Sequence, residues 1–239
     1  MEHNLLLVEF VNNLLKKVLG LFNISVQSGK ELIPSHVVMA LIVMFVVILF
    51  FKLTVKDLSL IPGKMQSVLE YLYKAFRTMV EDYMGKEGRK FIPVIGTLGI
   101  FIGVSNLIGL MPEFGSPTAN LNVTVGCALF VFLYYHYHGI KKHGLFGYLK
   151  TFTGPIWWLA ILFIPIEIIS HFARPLSLSI RLFGNIFGED MVIIIIASLV
   201  PYLAPMPLMA LAIITSLLQA YIFIMLTTIY LAGAISSEH

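Results

Sequence analysis

Five stretches of this chain are apolar over the roughly 20 residues a helix needs to cross a hydrocarbon layer. They run from about 36 to 53, 91 to 111, 121 to 138, 156 to 199 and 208 to 235. No water is present in that layer to satisfy backbone N–H and C=O groups, so such segments close their hydrogen bonds internally as helices. The composition leaves little room for another solvent: 58% of residues are hydrophobic and 12% charged, against about 25% charged in ordinary soluble domains. The expected fold is an all-α integral membrane protein with about five transmembrane helices, the last two long and steeply tilted, plus amphipathic surface helices. A formal net charge of +3, spread over particular loops and forming no patch, argues against nucleic acid as a partner. The single cysteine, Cys127, lies inside an apolar run and reads as a small buried hydrophobe, with no disulfide framework and no paired-cysteine metal site.

Two further segments have a one-sided pattern. In the N-terminal segment 1–35, Glu9, Asn12, Asn13, Lys16, Lys17 and Gly20 fall on one stripe of a helix whose other face is Leu, Val and Phe. It has no small-residue cleavage pattern and is read as an interfacial helix that stays attached. Over 64–84, Met65, Val68, Leu69, Leu72, Phe76, Met79, Val80 and Tyr83 keep helical spacing against a charged face, the pattern of a helix lying on the cytoplasmic membrane surface. The remainder, 36–239, reads as one membrane domain.

Orientation follows from the basic residues, which mark the inner side. Residues 52–90 hold eight Lys and Arg, 139–155 hold three (Lys141, Lys142 and Lys150, in a linker), 112–120 hold none, and none follows Arg181. The N terminus is therefore expected outside and the C terminus in the cytoplasm, with the fourth span running outward; Lys16, Lys17 and Lys30 pull the other way. Residues 167–199 alone make about 50 Å of helix against about 30 Å of hydrocarbon. The fourth span must therefore tilt, kink or lie partly along the membrane, and Pro175, Gly184 and Gly188 offer places to bend. A proline-rich turn, 201–207, separates it from the fifth.

The fourth stretch also carries the ionisable residues Glu167, His171, Arg174, Arg181, Glu189 and Asp190. A charge at mid-membrane costs about 2.5 to 3.5 kcal/mol on insertion scales, so such groups face water, a path or a partner. Arg181 stands about 21 Å along the helix from Glu167 on the cytoplasmic side and about 13 Å from Asp190 on the outer side. Arginine keeps its proton; it makes a poor carrier and a good gate, favouring the ionised form of any passing carboxylate. The bland reading has Arg181 neutralise Glu189 or Asp190 in a helix bundle, and Arg174 snorkel to an interface. Glu167 and His171, four apart on one helical face, have no further clustered ligand, and a metal site would require a third. His136, His138 and His143 read as interfacial, and Asn106, Asn120 and Asn122 as caps or interhelical hydrogen bonds. Gly99 and Gly103 form a GxxxG packing signal.

RLFGNIFGED (181–190), LLQAYIFIMLTTIYLAGA (217–234), PIEIISHFARPLSLSIRLFGN (from Pro165), PTANLNVT (from Pro117) and Asn106 resemble the a subunits of rotary F-type ATP synthases. The resemblance runs from about residue 36 onward. It implies a noncatalytic stator subunit against a rotor ring of c subunits, with subunit b of the peripheral stalk as a further partner. Such a subunit has two half-channels that do not meet: a proton, or a sodium ion, enters by one, rides the ring nearly a full turn and leaves by the other. The resemblance places Arg181 opposite the rotor carboxylate, with Asn185 and Gln219 as polar partners near it. Glu167 and Ser177, with His171 close by, fall to the cytoplasmic half-channel, and Asn106, Asn122 and Asp190, preceded by Glu189, to the outer one.

Three positions depart from the pattern. Many members have Glu where this chain has Asp190, some have a histidine at the position of Ala212, and some an acid at the position of Gly109. No cofactor is expected, since no glycine-rich phosphate loop is present. The competing classes are a secondary transporter or channel working without a rotor, and an intramembrane enzyme using Glu167 and His171. No internal repeat of the transporter kind is visible. With no transit peptide ahead of the first segment, a bacterial inner membrane is the expected location, though an organelle-encoded chain would also lack one.

Overall fold

The computed structural model describes residues 8, 33–55, 62–111, 114–151, 160–201 and 203–236. Six α-helices carry nearly all of them: α1 (Ser35–Thr54), α2 (Lys64–Met84), α3 (Ile92–Gly109), α4 (Leu121–Thr151), α5 (Ala160–Leu199) and α6 (Pro205–Ile235). Two 3₁₀ turns, Gly85–Phe91 and Pro117–Ala119, lead into α3 and α4, and no strand occurs among the described residues. Five helical segments are long and apolar enough to cross a membrane, α2 and α3 counting as one with the turn between them. The N-terminal amphipathic segment, apart from Val8, lies outside the described residues, as do Lys56, residues 156–159 and residues 237–239. Val8 is buried in a small cluster with Val38 and Met39 of α1.

Two helix ends differ from the apolar stretches that mark them. α4 continues past 138 through Lys141, Lys142 and His143, so the basic linker is largely helical, and it bends at Gly144 (φ 71°, ψ 165°). Charged, straight-chain residues are good helix formers once outside lipid, and only glycine enters that backbone region without strain. α6 starts at Pro205, three residues early, because proline at a helix's first position forgoes an N–H that has no partner there. α5 is one 40-residue helix, about 60 Å long. It runs through Pro165 and Pro175, whose missing N–H groups leave the carbonyls of Ile161 and His171 without their usual donors.

The core sits where α3, α4, α5 and α6 meet. Phe91, Ile95, Ile102, Tyr135, Leu182, Phe223 and Leu231 are buried there. In lipid, apolar area alone gives helices no reason to associate, so close van der Waals packing over small residues takes over. The glycine stripe of α3 serves that purpose. A methyl group on Gly99 would come within 3.0 Å of Ile224, and one on Gly96 within 3.2 Å of the Phe76 ring on α2. α2 ends in a polar clamp, in which Arg77 (2.8 Å) and Arg89 both donate to the same Glu81 oxygen. Their guanidiniums hold the Glu81 carboxyl below the usual carboxylate range.

Candidate functional site

α5 has two unlike sides. His171, Leu178, Ser179, Leu182 and Ile186, at offsets of seven, eight, eleven and fifteen from the first and so on one helical face, are buried against its neighbours, while Phe172, Leu176, Ile180 and Met191 are exposed. Arg181 falls on the exposed side. Among the described residues it has neither an ion pair nor a hydrogen bond, so neither Glu189 nor Asp190 neutralises it. Ser177, one turn earlier, is exposed as well.

One turn beyond Arg181, the Asn185 amide donates to Gln219 Oε1 of α6 at 2.7 Å. Gln219 is 2% exposed, and its own amide nitrogen has no hydrogen-bond partner among the described residues. Further along, Thr215 of α6 donates from its hydroxyl toward both carboxylate oxygens of Glu189, 2.9 Å each. Asp190 is half-buried and has no hydrogen-bond partner among the described residues.

A buried polar network adjoins this region. The Asn106 amide of α3 donates to the Ser216 carbonyl of α6 at 3.1 Å, and the Thr118 hydroxyl donates to Asn106 Oδ1 at 2.6 Å. Ser116 donates to the Ser105 carbonyl (3.0 Å) and lies 2.7 Å from the Thr118 hydroxyl. Gly109 is what admits Ser116: a methyl group there would come within 2.4 Å of Ser116 Cβ. The hydroxyls of Ser105 and Ser216 are buried without partners among the described residues. Polar atoms in that state favour bound water. Asn122 is exposed at the first turn of α4, and its backbone N–H donates to Asn120 Oδ1 at 3.0 Å.

The second cluster lies on the first half of α5. His171 is buried, with Nδ1 3.2 Å from the Tyr135 hydroxyl of α4 and Nε2 3.3 Å from Glu167 Oε1. Arg174 comes within 3.9 Å of the same Glu167 oxygen and lies over the Tyr230 ring of α6 at 5.4 Å. It is thus packed between helices as well as reaching outward. The His136 ring is 5.1 Å from that of His171, and its Nδ1–H donates to the Phe132 carbonyl at 2.8 Å. Among the described residues no three His, Cys, Asp or Glu groups gather as a metal site would need.

The structure therefore brings Asn185, Gln219 and Glu189 together along the α5–α6 seam and Glu167 with His171 at its other end. It leaves Arg181, Ser177 and Asn122 on exposed surfaces. The hydroxyls of Ser116, Thr118, Thr215 and Ser216, and Tyr135, escape a reading based on charges. Their one sequence signal is a polar residue inside or beside an apolar helix.

Such a chain is a multi-pass helical membrane protein with polar and ionisable groups lodged between its helices. The family described as ATP synthase A chain matches residues 37–232. ATP synthase subunit a of Geobacter sulfurreducens is 44% identical over 239 residues, covering all of both chains. That of Trichlorobacter lovleyi is 42% identical, again over all of both. ATP synthase subunit a 2 of Syntrophotalea carbinolica is 46% identical over 205 residues, 86% of this chain and 87% of its own. The chain belongs to the ATP synthase A chain family, a component of that enzyme's membrane sector.

Proposed function

We propose that this chain is the noncatalytic stator subunit that passes protons, or sodium ions if the rotor selects them, to and from the carboxylates of a c-subunit ring, with Arg181 as the gate. The observation that carries this reading is the unpartnered Arg181 on the exposed side of α5, flanked by polar clusters on the same helix. An isolated arginine in lipid is costly, so it calls for an anionic partner from outside the chain, which a rotor carboxylate supplies.

The steps follow from electrostatics. A protonated rotor carboxylate arriving at Arg181 is drawn to the ionised form and gives its proton to one half-channel. Recharged from the other, it is neutral and tolerates lipid while the ring turns. The transmembrane potential contributes about 2.3 kcal/mol per charge per 100 mV. Glu167, His171 and Ser177 belong to the cytoplasmic half-channel. Asn106, Asn122, Glu189 and Asp190 belong to the outer one, and Asn185 with Gln219 supports the arginine between them. In this reading α5 and α6 tilt along the ring. The N terminus lies outside and the C terminus in the cytoplasm of a bacterial inner membrane, and subunit b of the peripheral stalk is a further partner. Residues 36–239 form a single membrane domain behind the segment 1–35, with α2 on the cytoplasmic surface.

Single cysteines at Ser177 and Asn122, in a Cys127→Ser background, test the two half-channels in vesicles holding the assembled complex. A membrane-impermeant thiol reagent should label Ser177→Cys from the cytoplasmic face alone and Asn122→Cys from the other face alone. Labelling of both from one face contradicts separate half-channels.

A further inference from the structure

A cavity of about 490 Å³ opens between α2 and α6, lined by Tyr71, Lys74, Thr78, Asp82, Tyr83 and Tyr221. Lys74, Thr78 and Asp82 follow one another every four residues on α2, a single stripe about 12 Å long. Among the described residues neither Lys74 nor Asp82 has an ion-pair partner. The hydroxyls of Tyr71, Tyr83 and Tyr221 have no hydrogen-bond partner there either. A second cavity, about 370 Å³, continues from the first and shares Ala75, Met79 and Tyr221 with it. This one is a trough of apolar side chains between α2, α3 and α6. Its floor is Gly99, Gly103 and Leu107, one face of α3 over about 12 Å.

We propose that these two cavities form one binding site for a zwitterionic, amine-bearing phospholipid. The polar mouth offers a cation and tyrosine hydroxyls to a phosphate, and a carboxylate to an ammonium. The trough, about 370 Å³ and lined by apolar side chains such as Leu72, Phe76, Val104 and Leu217, takes one acyl chain. Charge complementarity decides the occupant: at the headgroup level a phospholipid pairs both Lys74 and Asp82 and fills the trough in one molecule, whereas a partner's apolar helix would pair neither charge. Tyrosines at the mouth suit the headgroup level. The site is lined by none of the residues assigned to the gate or the half-channels, and it rests only on α2 lying at the membrane surface.

The assembled complex, reconstituted in vesicles containing an acyl-diazirine phosphatidylethanolamine, is the test, with labelled peptides mapped by mass spectrometry. Labelling is expected to concentrate on α2, α3 and α6 beside the trough, above that of the lipid-facing side of α1 (Phe45, Leu53). The Lys74→Ala, Asp82→Ala double variant should lower it about fivefold with proton pumping unchanged, and Val104→Trp, which fills the trough, should lower it as far. An acyl-diazirine phosphatidylglycerol, which has no ammonium, should label several-fold less. Labelling no higher than on α1, equal labelling by phosphatidylglycerol, or no loss in the double variant each overturns the proposal.

Discussion

Arg181 and Asp190 share a helix, yet their surroundings differ. Arg181 is open to a partner, Asp190 is half-buried and unbonded, and Glu189 between them is tied to α6 by Thr215. An acid already held by a fixed donor is a positioned group; an acid without one is free to exchange its proton. Within the proposed function, we therefore propose Asp190 as the working acid of the outer path. Asp190→Asn should reduce ATP-driven proton pumping about a hundredfold, the scale of losing a positioned proton-transfer group, whereas Thr215→Val and Glu189→Gln should each cost less than about tenfold, judged by dye quenching in inverted vesicles. The reverse order would move the role to Glu189. The charges were legible in the sequence because an ionisable residue in a long apolar run stands out. The hydroxyls were not. Thr215 reaches a carboxylate on another helix as well as the carbonyls of Leu211 and Ala212 in its own, while Thr227 and Thr228 bond only the carbonyls of Phe223 and Ile224 in their own helix, and nothing local distinguishes the two cases.

At the scale of elements, the GxxxG spacing of Gly99 and Gly103 reads as packing and the structure uses it so, with Ile224 and Ala220 of α6 against them. Gly109 is different: read from sequence it is merely an absent acid, and in three dimensions it makes room for the Ser116–Thr118–Asn106 network. That role depends on a turn brought back against the helix end, which no periodicity encodes. Gly109→Ala should push that turn away and destabilise the chain by about 1–3 kcal/mol, seen as a lower thermal midpoint of the solubilised complex; an unchanged midpoint would show that the turn yields freely. The corner after α2 has a pH signature. Glu81 is held below its ordinary value of 4.5, with hydrogen bonds from Arg77 and Arg89 as the main cause. Its contribution is therefore present above pH 4.5 and lost as pH falls through the lowered value. Amide exchange over 85–91 should speed up as pH falls below 4.5 and through the lowered value, beyond the intrinsic trend, and Glu81→Gln should show the faster exchange at all pH values.

For the whole molecule, the number of long apolar helices is fixed by hydrophobic run length, and so was readable at once; the continuation of α4 beyond lipid and the early start of α6 were not, because helix ends depend on glycine and proline conformations outside the apolar signal. Among the described residues, the assembly of polar clusters along the α5–α6 seam leaves Arg181 exposed without an ion pair. The proposed function completes that arrangement with an anion moving past Arg181. The central claim is that Arg181 keeps two ion paths apart while it discharges the rotor. ATP-driven proton pumping and passive proton leak, measured together in vesicles carrying the assembled complex with Arg181→Ala beside wild type, address it most directly. We expect coupled pumping to vanish and passive leak to rise with assembly intact; pumping that persists at the wild-type level would show Arg181 to be a bystander on the surface of α5.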